Sequence, residues 1–143
     1  MNAPTIVVSA VAFVRAGQVL TVRKRGTERF MLVGGKPELG ESAADAAIRE
    51  TREEVGLEIS GLRLLGVFES DAANEPGHLL RSTVYTAALP GEPAPAAEIA
   101  ELRWVPLDST DPLLAPMLRD HALPRLRALG ETARSATGPH TTE

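Results

Sequence analysis

The stretch GGKPELGESAADAAIRETREEVGL, residues 34–57, decides how the rest of the chain is read. Its second half carries the marks of a helix. Ser42 stands where an N-cap belongs, Asp45 takes the acidic position of a capping box, and Gly56 supplies a stop after Val55. That helix sets three glutamates, Glu50, Glu53 and Glu54, within about one turn. Like charges at such spacing repel by roughly 0.2–0.5 kcal/mol per pair.

A helical wheel at about 100° per residue, with Glu50 at zero, puts Glu54 near 40° and Glu53 near 300°. Ala44, Ala47, Ile48, Thr51 and Val55 then fall between roughly 60° and 160°, forming the core face. The carboxylates therefore sit beside the apolar stripe instead of opposite it, and Glu54 borders it. A carboxylate there is partly desolvated and needs a compensating cation. Arg49, one turn before Glu53, supplies part of that charge but cannot neutralise three carboxylates. Two readings fit these residues: a solvated, salt-bridged helix, or a site for a hard divalent cation such as Mg²⁺, which takes oxygen ligands.

On either side of this segment the chain alternates in the manner of strands. Thr5–Val14 and QVLTVRKR (18–25), joined at Ala16-Gly17, predict a hairpin. RFMLV (29–33) predicts a third strand stopping at Gly34-Gly35. LRLLGVFES and HLLRSTVYTAAL predict two more, joined by the polar loop DAANEPG, and ELRWVPL predicts a last one. A second helix is expected over Leu113–Leu129, kinked or split by Pro116 and Pro124. The order β-β-β-α-β-β-β-α makes this an α/β chain with a mixed sheet. Its 143 residues suffice for one domain, here taken as 1–130, with 131–143 expected as a disordered tail.

Composition narrows the function classes. A net charge of -4 argues against a nucleic-acid polymer as partner, though an acidic protein can still hold a cationic pocket for a small phosphorylated molecule. The absence of cysteine removes disulfides and thiolate metal sites and is compatible with a cytoplasmic location. The apolar N-terminal run is too short to span a membrane and lacks a basic segment before it.

The spacing within the opening stretch is more specific than its charge. Gly35, five residues, Glu41, seven residues, Arg49-Glu50, two residues, Glu53-Glu54, one residue, Gly56-Leu57: this resembles the Nudix box of the Nudix hydrolase family. Every charged and glycine position of that signature is matched. Thr51 stands where an aliphatic residue is usual and Val33 where proline often precedes the glycines, and neither position carries a ligand.

The resemblance implies an α/β/α sandwich with a mixed sheet and the box as loop-helix-loop. It implies hydrolysis of a nucleoside diphosphate derivative, most similar to the MutT-type triphosphate pyrophosphatases, with nucleotide sugars or ADP-ribose as the alternative. It also implies a Mg²⁺ cofactor, with Mn²⁺ as a substitute, and allows a homodimer. By the same resemblance Glu50, Glu53, Glu54 and the Gly35 carbonyl are metal ligands, Arg49 orients a glutamate, and Glu41 ties the loop to the helix. The general base varies in the family between a box glutamate and a later one. Upstream of Trp104 the later candidates are Glu98 and Glu101, with Glu98 preferred because PAPAAE looks like a mobile loop. Lys36 is expected at the phosphates. Arg23 and Arg25, on one face of a strand end, are expected at the substrate. His78 is expected in solvent, and Phe30, Phe68 and Trp104 in packing.

Overall fold

The computed structural model describes residues 4–137. Seven strands, β1 (Thr5–Ala12), β2 (Val14–Arg15), β3 (Gln18–Lys24), β4 (Val33–Gly35), β5 (Arg63–Asp71), β6 (Leu79–Thr86) and β7 (Ile99–Pro106), accompany helices α1 (Ala43–Val55) and α2 (Leu123–Thr137). The strands form two sheets: a mixed one ordered β4-β1-β6-β5 and an antiparallel one ordered β2-β3-β7. In the first, β1 runs parallel to β6 over its whole length and antiparallel to β4.

The expected hairpin is confined to its last residues. Only Val14 and Arg15 pair back on Val19 and Gln18, across a turn in which Ala16 and Gly17 both have positive φ, as a two-residue turn of matching twist requires. Thr5–Ala12 instead lies in the other sheet, so the chain changes sheets at Phe13. Alternation explains why its second half, from Ser9 to Ala12, is buried on both faces there. Ala10 and Ala12 face a core cluster with Val84, Val105, Leu118 and Leu123, while Val11 and Phe13 face a second with Ala47, Val55 and Ile59. A strand with apolar residues on both faces belongs in the middle of a sheet.

Helix α1 begins and ends where its caps direct. The Ser42 hydroxyl accepts from the Asp45 amide at 3.1 Å, and Gly56 adopts a left-handed conformation (φ 76°) with its N–H on the Arg52 carbonyl. Ala46, Ala47, Thr51, Glu54 and Val55 are buried, and the Thr51 hydroxyl donates to the Ala47 carbonyl. The predicted third strand is displaced: Phe30 and Met31 form isolated bridges, and the strand itself is Val33–Gly35, running through the two glycines.

The second helical segment accommodates its prolines. Pro116 lies in the first helical turn, where its missing N–H is no loss. Ahead of Pro124 the chain widens into a π-turn over Leu118–Ala122, with the Leu123 N–H reaching back to the Leu118 carbonyl. That extra residue offers a way round the clash a proline makes with a helix in regular register. α2 runs on to Thr137, into the stretch expected as a tail, and 138–143 lie outside the described residues.

Candidate active site

Helix α1 packs on β4, and this contact builds the site. The approach is close enough to require glycines. A methyl group added at Gly34 would overlap the Ser9 carbonyl on β1, and one at Gly35 would overlap the Glu50 carboxylate. The carboxylate arc of α1 thus lies over the glycine strand, and Ala46, near 320° on the same wheel by the roughly 100° step, is buried with it.

Glu54 is 2% exposed, more deeply buried than its place at the edge of the stripe predicts. Its Oε1 accepts from the Gly34 N–H at 3.1 Å, and its Oε2, also buried, has no hydrogen-bond partner in the protein. Burial pushes its carboxyl up to about 8; the Gly34 N–H and Lys24 pull the other way, and Glu50 and Glu98 add to the rise. A buried carboxylate in such a place calls for a cation.

Arg49 organises the opposite side. It forms a two-point pair with Glu41, its Nε donating to Oε2 and its Nη2 to Oε1, both at 2.9 Å. Its Nη1 donates to Glu50 at 3.1 Å and Glu53 at 3.2 Å, and Nη2 to the Lys36 carbonyl at 3.2 Å. These partners raise the Arg49 pKa, with Glu41 the main cause, and the same hydrogen bond holds the Glu41 carboxyl down at about 2. Glu41 also accepts from the Glu38 amide, closing the box loop on the helix.

The carboxylates are therefore shared out. Among the described residues no group of three or more ligand side chains stands ready-made for a metal. Arg49 occupies Glu50 and Glu53, and Glu53 is half exposed. Even so, the donors fit an oxygen-seeking cation. Glu54 offers a partnerless buried carboxylate oxygen, and Glu50 lies against Gly35, so the groups that meet there offer oxygen.

A cavity of about 540 Å³ opens over this floor. Gly34, Gly35, Lys36, Glu38, Arg49 and Glu50 line one end; Val8, Leu32, Leu80 and Met117 give the other an apolar wall, with Asn74 and Glu75 beside them. Glu98 lines the cavity as well. Glu101 does not: it accepts from Arg23 at 3.1 Å on the neighbouring strand. The PAPAAE segment is not loose. Ala94 and Ala96 donate their amides to the Val55 and Glu54 carbonyls at the end of α1, and Arg25 accepts no part in the cavity because its guanidinium donates to the Ala97 carbonyl. Ala97 itself has φ 54°, the left-handed turn that leads into Glu98.

Arg23 and Arg25 thus depart from expectation, for neither lines the cavity. The guanidinium of Arg23 is taken by Glu101 and the Thr27 carbonyl. The residue between them, Lys24, lines it instead. The β3–β7 register shifts here: Arg23 faces Glu101 and Lys24 faces Ile99, leaving Ala100 without an opposite. Alternation placed Lys24 on the other face from its neighbours, which was the signal available in the sequence. His78 is partly exposed, with its ring nitrogen near the Pro76 carbonyl. Phe30 and Phe68 are buried, under Arg103 and beside His121 respectively, and Trp104 lies beneath Arg15.

Likeness to known proteins agrees with this geometry. The family model described as NUDIX domain matches residues 3–126. The provisionally named ADP-ribose pyrophosphatase YjhB of Bacillus subtilis is 30% identical over 105 residues, covering 71% of this chain and 50% of its own length. A second Bacillus subtilis protein, provisionally named an 8-oxo-dGTP diphosphatase, is 32% identical over 90 residues, covering 62% of this chain and 57% of its own. The chain thus spans about half the length of these curated relatives. Among solved structures, a MutT NUDIX hydrolase from Burkholderia pseudomallei superposes with a TM-score of 0.73 at 30% identity, covering 85% of this chain and 98% of its own.

Proposed function

The chain belongs to the Nudix family, and on that premise we propose that it is a metal-dependent pyrophosphohydrolase that cuts a diphosphate linkage in a nucleoside diphosphate derivative. A nucleoside triphosphate, giving the monophosphate and pyrophosphate, is the substrate we put first. The observation that carries this reading is Glu54: a buried carboxyl with one oxygen on the Gly34 N–H and the other without a partner, directly behind a cavity that Gly34, Gly35, Glu50, Lys24, Lys36 and Arg49 line.

Glu50, Glu53, Glu54 and the Gly35 carbonyl would hold Mg²⁺, or Mn²⁺ in its place. The bound cation supplies charge neutralisation on the diphosphate and polarises its oxygens. Lys36 adds positive charge from the box loop, and its ammonium makes no ion pair among the described residues. Glu98, 67% exposed at its side chain and on the cavity wall, would take the proton from an attacking water. Arg49, held by Glu41, fixes Glu50 at the cavity and draws Glu53 toward it by a hydrogen bond. A cytoplasmic location accords with a cysteine-free chain and a nucleotide substrate, and among the described residues no helix is long and apolar enough to cross a membrane.

The likeness to YjhB favours a second reading, with ADP-ribose or a nucleotide sugar as substrate. One experiment tests both: a panel of nucleoside triphosphates, ADP-ribose and nucleotide sugars with Mg²⁺ or Mn²⁺, products resolved by chromatography, and a chelator control. Turnover of one class that stops on chelation supports the corresponding reading. No turnover across the panel with either metal would overturn the enzyme and leave a nucleotide-binding module, a reading against which the complete set of box glutamates speaks.

A further inference from the structure

Of the chain's 15 basic residues only two are lysines, Lys24 and Lys36, and both line the same cavity. The arginines are spent elsewhere. Arg49 lines the cavity too, but its guanidinium is engaged by Glu41, Glu50, Glu53 and the Lys36 carbonyl. Arg23 and Arg25, on either side of Lys24, are turned to Glu101, Thr27 and Ala97. The positive charge left able to move within the cavity is therefore two ammonium groups.

Lys24 is held only loosely. Its Nζ stands 3.7 Å from Glu98 Oε1, beyond the roughly 2.7–2.9 Å of a charge-assisted hydrogen bond. With side-chain exposures of 31% and 67%, such a pair has little net worth against water. A lysine is a point charge on a flexible stem, suited to following a phosphate chain, where an arginine fork favours one fixed plane.

Building on the pyrophosphohydrolase reading, we propose that Lys24 is a substrate-binding residue whose ammonium leaves Glu98 for a phosphate oxygen of the bound polyphosphate. Lys36 holds that chain from the box loop and Lys24 holds it from the end of β3. Substrate arrival then also draws Lys24 away from Glu98, removing what pairing that carboxylate has.

The presence of only two lysines makes the test direct. The wild-type chain is reductively methylated with and without inorganic tripolyphosphate and Mg²⁺, and modification at each lysine is read by peptide mass spectrometry. The expected result is protection of both lysines by at least fivefold. Lys24→Gln should weaken tripolyphosphate binding at least tenfold, Glu98→Gln should tighten it severalfold by freeing Lys24, and Arg25→Gln should change neither. Protection of Lys36 alone, with Lys24 methylated at an unchanged rate, overturns the proposal while leaving the hydrolase reading intact. Protection of neither lysine, together with no turnover on the nucleotide panel, overturns both. The wild-type footprint does not depend on any variant folding.

Discussion

Glu54→Gln in the metal-free protein should stabilise the fold instead of weakening it. The glutamine keeps an oxygen for the Gly34 N–H and has the shape of the protonated carboxyl. In the wild type that carboxyl is held near 8, against 4.5 for the ordinary group, chiefly by burial. Between those two values the folded chain keeps a proton that the unfolded chain has released. The wild-type contribution is therefore full below about pH 4.5, falls as pH rises, and is lost once pH passes about 8. The displacement corresponds to on the order of 5 kcal/mol, a large part of the 5–15 kcal/mol typical of a domain. Urea unfolding in the presence of a chelator, from pH 5 to pH 8.5, measures it through the midpoint at constant slope. The wild-type midpoint should fall relative to Glu54→Gln across that range. Mg²⁺ at pH 8.5 should restore the wild type and leave the variant unmoved, because only the state that binds the ion gains by mass action. Parallel pH curves for the two proteins would refute the burial of an unpaired carboxyl, and equal stabilisation of both by Mg²⁺ would refute its role as a ligand.

Gly35→Ala should cost at least a hundredfold in kcat on the best nucleotide of the panel, with circular dichroism unchanged, because the added methyl meets the Glu50 carboxylate; wild-type turnover would show that this contact is dispensable. Arg49→Lys should lower kcat at least tenfold, since an ammonium cannot make the two-point pair with Glu41 while reaching Glu50 and Glu53; steady-state kinetics showing only a KM change would contradict it. Ser42→Ala removes the cap on the Asp45 amide and should cost about 1 kcal/mol, or roughly 2–4 °C in Tm by calorimetry, with kcat unaffected.

What the sequence made legible was whatever is decided locally. The ends of α1 follow from Ser42 and Gly56, whose side chain and backbone freedom act within one turn. The tilt of the carboxylates toward the core follows from a fixed 100° step, about the angle of an ideal helix. The spacing from Gly35 to Leu57 carries the resemblance to the Nudix box, and Gly35, Lys36, Arg49 and Glu50 of that stretch line the cavity. Features settled by distant partners were not legible. The apolar residues on both faces of Thr5–Ala12 do not say that β6 and β4 are the neighbours, so the expected hairpin runs too far back along the chain. Alternation in RKR on β3 separates Lys24 from Arg23 and Arg25, but which of the two faces meets the cavity depends on β7 and its register shift opposite Ala100, which RKR alone does not carry. The depth of Glu54 depends on how closely two glycines let β4 approach the helix, and a wheel holds no information on that distance.

The PAPAAE segment, rich in proline and without regular structure, has the composition of a linker. Two of its amides nevertheless end on carbonyls of the last turn of α1, Ala96 on Glu54 and Ala94 on Val55. Measured by amide hydrogen exchange, these loop residues would open together with the helix and not ahead of it. The cooperative unit that carries Glu54 thus includes the approach to Glu98, two residues 44 positions apart in sequence, and lengthening that segment would loosen both at once.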